Sequence, residues 1–397
     1  MPRQALKLNV TDADSVFRSV RKPVLRSMKV PSKKILFSGN EAMAEAAVLA
    51  GCDFYAGYPI TPQNELIAYM AKRMRQEQRV FIQAESELAA INMVFGAAAT
   101  GARAMTSSSS PGISLKQEGI SYLAGVELPA VIINVMRGGP GLGNIASSQA
   151  DYFQATCGGG HGDYFTPVVA PWSVQEAAEL VSLAFDLADK YRNPVLVLAD
   201  AIIGQMMEPA EITKAKSQEE KVNPDRIIGI SLDKNAKVLK KPWALTGCLG
   251  RKPNIIRSLL LKEGALQKHN EKLRKKWELI SEREQRFDSY RTEGARYLLA
   301  AYGSQSRIAK QAVDILRSRK IPAGLFRPIS LWPYPEKGLK MAAKKAEKVL
   351  VVEQSLGQMV RDVRLALPEK EVLFLGKAGG GIPQAEEIVK FLTKKIA

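Results

Sequence analysis

Asp53-Phe54-Tyr55-Ala56-Gly57-Tyr58-Pro59-Ile60-Thr61-Pro62 joins a short apolar run to a stiff polar corner, and the same pattern returns twice. Residues 79–82 lead into Gln83-Ala84-Glu85-Ser86-Glu87, and residues 129–135 into Met136-Arg137-Gly138-Gly139-Pro140-Gly141. Each run reads as a buried strand. In an open parallel sheet, ligands collect beyond the carboxyl ends of the strands, so the three polar corners predict one shared pocket.

Outward from these stretches, strands alternate with helices. Strands are expected at 34–37, 53–57, 79–82, 102–106, 130–136 and 194–199, and helices at 39–50, 62–75, 85–100, 114–123 and 174–191. Asn40 is the expected cap of the first helix, with Glu41 and Glu45 in its early turns. The alternation predicts a doubly wound α/β domain over 34–210. A second, smaller α/β domain is expected over 293–397: strands at 297–302, 323–327, 348–353 and 372–375, helices at 306–319, 337–346 and 356–367, then the loop from Gly379 to Pro383. Residues 211–292 form a charged connector, in which Leu266, Leu273, Trp277, Ile280 and Phe287 recur at helical spacing and predict one amphipathic helix over 264–291. Residues 1–33 read as a basic tail, and Met28 is a candidate true start.

With 397 residues, 46% of them hydrophobic, the chain can build two cores. No apolar run approaches the roughly 18–20 residues needed to cross a bilayer, and the first residues lack the apolar stretch of a secretion signal. A cytoplasmic location is expected. The net charge of +17 is unevenly spread: +7 over residues 1–34, −8 over 35–210, +8 over 211–290 and +10 over 291–397. The domain with the polar corners is acidic, and no groove-reading motif accompanies the basic parts, so nucleic acid is not expected as a partner. Cys52, Cys157 and Cys248 lie too far apart in sequence to form a zinc or iron–sulfur motif. Any redox metal is expected on another chain.

Thr61, held between two prolines, either caps the following helix with Pro62 at its first position or hydrogen-bonds a ligand; the two are compatible. Glu85 and Glu87 sit where a helix starts, which by default is charge–dipole stabilisation. Glu87 precedes Leu88-Ala89-Ala90-Ile91 and Val94-Phe95-Gly96, a helix too apolar and small-sided to be exposed, so its carboxylate is expected to be partly desolvated and suited to sharing a proton. Arg137, at a strand end before a glycine-rich loop, is placed for bidentate carboxylate recognition. That loop is not Gly-x-Gly-x-x-Gly, so no dinucleotide is implied. Residues 107–112, four serines followed by Pro111 and Gly112, read as a turn and cap, with a phosphate cradle as the lesser reading. His161, among glycines, is either structural or a ligand contact.

In order, Gly39-Asn40-Glu41-Ala42, Tyr58 to Gln63, Gln83 to Glu87, Thr106 to Gly119, Arg137 to Gly143 and Gly158 to Asp163 resemble the α subunit of the 2-oxoacid:ferredoxin oxidoreductases. The wording is most similar to the 3-methyl-2-oxobutanoate (2-ketoisovalerate) branch, and the resemblance extends through Arg327-Pro328-Ile329-Ser330-Leu331-Trp332-Pro333 to about residue 390. It implies a pyrimidine-type thiamine-diphosphate domain followed by a transketolase C-terminal-like domain. It also implies oxidative decarboxylation of a 2-oxoacid to acyl-coenzyme A and carbon dioxide, with reduction of ferredoxin. Glu87, which matches by its spacing to Gly96, would bond the pyrimidine ring nitrogen, beside Tyr58, Pro59 and Ile60. Thr61 and Arg137 would hold the substrate's oxo and carboxylate oxygens, with Ser110 and His161 as further candidate substrate contacts. A β subunit would supply the diphosphate and Mg2+ contacts, and γ and δ subunits would complete the enzyme, iron–sulfur clusters lying outside this chain. Pyruvate or 2-oxoglutarate as substrate, a non-oxidative thiamine carboligase and a non-catalytic basic binding module are the alternatives.

Overall fold

The computed structural model describes residues 34–213 and 241–396; the expected basic tail and part of the connector lie outside them. The first α/β part comprises β1 (Ile35–Ser38), α1 (Gly39–Leu49), β2 (Phe54–Gly57), α2 (Asn64–Gln76), β3 (Val80–Gln83), α3 (Glu87–Ala99), β4 (Ala104–Ser108), α4 (Ser110–Gly125) and β5 (Ala130–Met136). It continues through α5 (Tyr152–Thr156), β6 (Val168–Val169), α6 (Val174–Tyr191), β7 (Pro194–Asp200), α7 (Ala201–Gln205) and β8 (Met207–Ala210). After α8 (Ala265–Arg283), the second part holds β9 (Phe287–Tyr290), β10 (Tyr297–Ala300), α9 (Gly303–Ser318), β11 (Ala323–Pro328), β12 (Ser330–Trp332) and α10 (Glu336–Ala342). It ends with β13 (Lys348–Glu353), α11 (Met359–Ala366), β14 (Glu371–Gly376) and α12 (Ala385–Ile396).

A seven-stranded sheet runs in the order β12-β6-β7-β5-β4-β2-β3 and is parallel throughout except for β12. Its central strands β5 and β7 are buried along their whole length, as continuous apolar runs covered by helices on both faces should be. The second sheet, β14-β13-β10-β11-β9, is parallel except for β9. Strand β1 does not join the main sheet; it pairs antiparallel with β8 in a two-stranded ribbon. No helix among the described residues is long and apolar enough to cross a membrane.

Several local expectations need correction. Helix α1 is capped by Ser38, not Asn40: the Ser38 hydroxyl accepts from Glu41 N while the Glu41 carboxylate accepts from Ser38 N. Asn40 lies inside the first turn, fully buried, and its amide donates to the Pro62 carbonyl and the Glu65 carboxylate, both at 2.8 Å. Helix α2 begins at Asn64 with Gln63 as its cap residue, so Pro62 is not at the first helical position. Helix α4 starts at Ser110, four residues earlier than expected, because Pro111 costs nothing in a first turn where backbone N–H groups lack helical partners anyway. Helix α8 ends at Arg283, and Phe287 leaves the helical stripe to stack on Phe326, ring centroids 5.4 Å apart, from the edge strand β9. Helix α3 is only partly covered: Leu88 is 47% exposed despite the apolar sequence around it.

Candidate active site

Strands β5, β4, β2 and β3 are neighbours in that order, so the segments following their carboxyl ends line one edge of the sheet. All three polar corners and the serine run after β4 meet there. Beneath them lies a fixed hydroxyl chain. The Tyr55 and Ser107 hydroxyls are bonded at 2.6 Å, Ser107 Oγ donates to Gln63 Oε1 at 2.7 Å, and Gln63 Nε2 donates to the Tyr58 carbonyl at 3.2 Å. Gln63 and Ser107 are fully buried, so this network locks the shape of the Tyr58–Pro62 corner from below. Tyr58 and Pro59 are exposed, and Ile60 and Thr61 partly so.

Arg137 ties the corner to the glycine loop. Its Nη1 donates to the Thr61 carbonyl at 3.1 Å and its Nη2 to the Leu142 carbonyl at 3.0 Å, while the buried Nε has no partner among the described residues. The structure therefore brings Thr61 and Arg137 together, with the Nε–H among the guanidinium donors left to bond. The Thr61 hydroxyl accepts from Asn64 Nδ2 at 3.2 Å. Ser110 supports this group from inside. Its hydroxyl donates to Asp151 Oδ2 at 2.5 Å and accepts from Arg137 N at 3.0 Å. Asn134 Nδ2 donates to the same carboxylate oxygen at 2.8 Å, and burial raises Asp151 above the usual carboxylate range against the pull of these two bonds. His161 stands apart. Its ring is exposed, its carbonyl accepts from Ser121 Oγ at 2.8 Å, and its loop leans on α4.

Glu87 is the first residue of α3, after the Ser86 cap, and is 5% exposed; Glu85 lies exposed before the helix. Among the described residues, the Glu87 carboxylate accepts one hydrogen bond, from Ser108 Oγ at a long 3.4 Å. Gly112 lets α4 pass close by: a Cβ there would fall on Ser108 Oγ and Glu87 Oε1. The sequence reading missed Lys116, one turn further along α4. It is fully buried, and its ammonium donates to Thr106 Oγ1 at 3.0 Å and to the Ser107 carbonyl at 3.4 Å. Burial pulls Lys116 down to about 7, opposed by the charge of Glu87. The signal was present, since Gly112, Ile113, Lys116, Gln117 and Ile120 form a buried helical stripe broken by a single cation.

These residues fit the pyrimidine half of a thiamine cofactor. A buried, under-bonded carboxylate suits a ring nitrogen that must be hydrogen-bonded, and the hydroxyl of Ser109, next in sequence to Ser108, is buried without a partner among the described residues.

Comparison with known proteins points to the same class of domain. Residues 45–239 match the family model for the thiamine-diphosphate-binding domain of pyruvate flavodoxin/ferredoxin oxidoreductases, and residues 295–388 match pyruvate:ferredoxin oxidoreductase core domain II. The ketoisovalerate oxidoreductase subunit VorB of Methanothermobacter marburgensis is 45% identical over 355 residues, covering 89% of this chain and 96% of that one. The 2-oxoglutarate synthase subunit KorA of Methanothermobacter thermautotrophicus is 36% identical over 378 residues, covering 91% and 99%. A solved 2-oxoglutarate:ferredoxin oxidoreductase from Magnetococcus marinus superposes with a TM-score of 0.79 at 24% identity, over 92% of this chain and 66% of its own, a likeness of fold. By sequence over nearly its whole length and by the fold of both its α/β parts, the chain belongs to the 2-oxoacid:ferredoxin oxidoreductases, as one subunit of a multi-subunit oxidoreductase.

Proposed function

We propose that this chain is the pyrimidine-binding subunit of a coenzyme A-acylating enzyme that oxidatively decarboxylates 3-methyl-2-oxobutanoate and passes the electrons to ferredoxin. The thiamine cofactor, when bound, supplies the carbon nucleophile and the electron sink for decarboxylation. Glu87 holds and moves the proton at the pyrimidine ring nitrogen. Tyr58, Pro59 and Ile60 form the wall beside that ring, on a corner that Gln63 and Ser107 keep rigid. Thr61 and the unpaired Nε of Arg137 orient the substrate's oxo and carboxylate oxygens, and Ser110 acts through Arg137 by fixing its backbone. His161 contacts the ligand only from the outer loop. A β subunit supplies the diphosphate and Mg2+ contacts, and γ and δ subunits complete the complex, the iron–sulfur clusters lying outside this chain.

The observation that carries the reading is Glu87: a carboxylate 5% exposed, with one long hydrogen bond, on the carboxyl edge of the sheet. Two features favour a branched apolar substrate over 2-oxoglutarate. The identity to the ketoisovalerate subunit exceeds that to the 2-oxoglutarate subunit. Arg137 is also the sole cation in the four edge segments, residues 54–62, 83–87, 106–112 and 136–146, so they hold no second cation for a second carboxylate.

The test is anaerobic viologen reduction by the co-expressed complex with coenzyme A, thiamine diphosphate and Mg2+. We expect 3-methyl-2-oxobutanoate to exceed pyruvate and 2-oxoglutarate in kcat/KM by about tenfold or more, the discrimination that a few apolar carbons can supply. A preference for 2-oxoglutarate would overturn the substrate assignment. Turnover without any electron acceptor would overturn the oxidative reaction and favour a carboligase.

A further inference from the structure

Lys116 has no structural reason to be a lysine. A fully buried ammonium is costly to desolvate, and among the described residues this one meets only a threonine hydroxyl and a backbone carbonyl. A methionine would fill the same stem volume without the charge. Among the described residues, Lys116 has no carboxylate within ion-pair distance, and the charge whose field reaches it is Glu87. The route is short. The face of α4 that touches Glu87 at Gly112 carries Lys116 one turn on, and Ser108, the hydrogen-bond donor to Glu87, adjoins Ser107, whose carbonyl accepts from Lys116.

Resting on the reading of Glu87 as the residue that meets the pyrimidine, we infer that Lys116 is a positioning residue: its charge sets the proton occupancy of the Glu87 carboxylate and thereby the pH range of cofactor binding and turnover. Lys116 never touches the cofactor or the substrate. It acts from beneath, through the field in a poorly hydrated interior where a unit charge is weakly screened. The other titratable groups on α4 and on elements around it include Tyr55, Asp151, Tyr164, which bonds Gln117, Asp200, held by Ile203 N and Ser304 N, and the bonded pair Glu118 and Tyr122. Tyr55, bonded to Ser107, is pushed up by burial and stays neutral; Asp151 is taken up by Ser110 and Asn134.

The experiment uses the assembled complex carrying wild-type chain, K116M, K116Q, K116R or E87Q, with thiamine diphosphate binding followed by fluorescence quenching across pH and turnover measured in parallel. In both neutral variants the acid limb of binding and of kcat moves to higher pH by about one unit, the scale of a nearby charge's effect. In K116R it stays in place. A limb that does not move in K116M or K116Q, or that moves equally in K116R, overturns the proposal and leaves Lys116 a packing residue. E87Q separates the two levels of the argument: if it binds cofactor and turns over like wild type, the reading of the site fails, whatever Lys116 does.

A second readout needs no variant. With Lys116 near 7 when folded and 10.5 as its ordinary value, the unfolded chain binds the extra proton between these limits. This group's contribution to stability therefore rises as pH rises through that window. A wild-type unfolding profile with no rise there relative to K116M, or a flat one where neither neutral variant assembles, would mean that Lys116 keeps its proton on folding and overturns the premise that it lies in a poorly hydrated interior.

Discussion

Gly112 decides how closely α4 approaches the candidate proton carrier. A methyl group there would fall on Ser108 Oγ and Glu87 Oε1 and lie 2.8 Å from Glu87 Cγ, so Gly112→Ala must push the carboxylate or the helix aside. We expect a stability loss of about 1–3 kcal/mol, typical of overpacking, and thiamine diphosphate binding weakened at least tenfold. Thermal unfolding and a cofactor titration measure the two; normal binding would mean that the carboxylate's position is not critical. At this scale the sequence was informative where a residue's neighbours along the chain decide its setting. Glu87 and Arg137 follow apolar strands, and both lie at the sheet edge as read. It was silent where the setting is tertiary. Asn40 reaches across to Pro62, Ser110 turns inward to Asp151, and Lys116 is buried by helix packing, none of which local pattern encodes.

Helix α8 shows what periodicity can and cannot say about an element. Its stripe is real: Leu273, Trp277 and Ile280 are buried, yet the charged face is not simply solvated. Lys272 and Lys276 straddle Glu127 of the first α/β part, the His269 ring meets the Gly125 carbonyl at 2.6 Å, and Lys190 bonds Glu284 just past the helix end at 2.7 Å. Trp277 packs edge-on against Phe165, which stacks on Trp332 at 4.9 Å. Trp277→Ala should therefore cost about 3–5 kcal/mol, read by denaturant unfolding, with the KM for the 2-oxoacid unchanged because no site residue is in that stack. A loss below about 1 kcal/mol would mean α8 is held by its charges instead. The helix was legible in its spacing, but its end was not. Phe287 keeps the helical interval by coincidence and is claimed by an edge strand, because Phe326 offers it a ring to stack on. Strand β12, three residues long, is too short for any period to reveal.

The two sheets are joined through buried polar contacts. Asp200, at the end of β7, accepts from Ile203 N of its own part and from Ser304 N at the start of α9. Gln149 donates to the Tyr302 carbonyl and accepts from Gln354 N, and β12 leaves the second part to pair with β6 of the first. The most exposed to test is Arg327. Its guanidinium is buried, lies over the Trp172 ring at 4.5 Å, and donates to both oxygens of Glu176 at 2.8 and 3.0 Å. Motif resemblance drew attention to residues 327–333 but not to their partner, 151 positions away along the chain. Arg327→Met leaves the partly buried Glu176 carboxylate without its counter-charge and should destabilise by about 2–4 kcal/mol. Glu176→Gln in the same chain removes the stranded charge while keeping an acceptor for Trp172 N, so the double variant should regain at least about 1 kcal/mol. Equal stability of the single and double variants would show that Arg327 acts through its stacking on Trp172, not through the ion pair. Recovery in the double variant would show that the join between the sheets tolerates loss of the pair but not of one partner alone, as expected for a desolvated pair whose attraction mainly offsets its own desolvation.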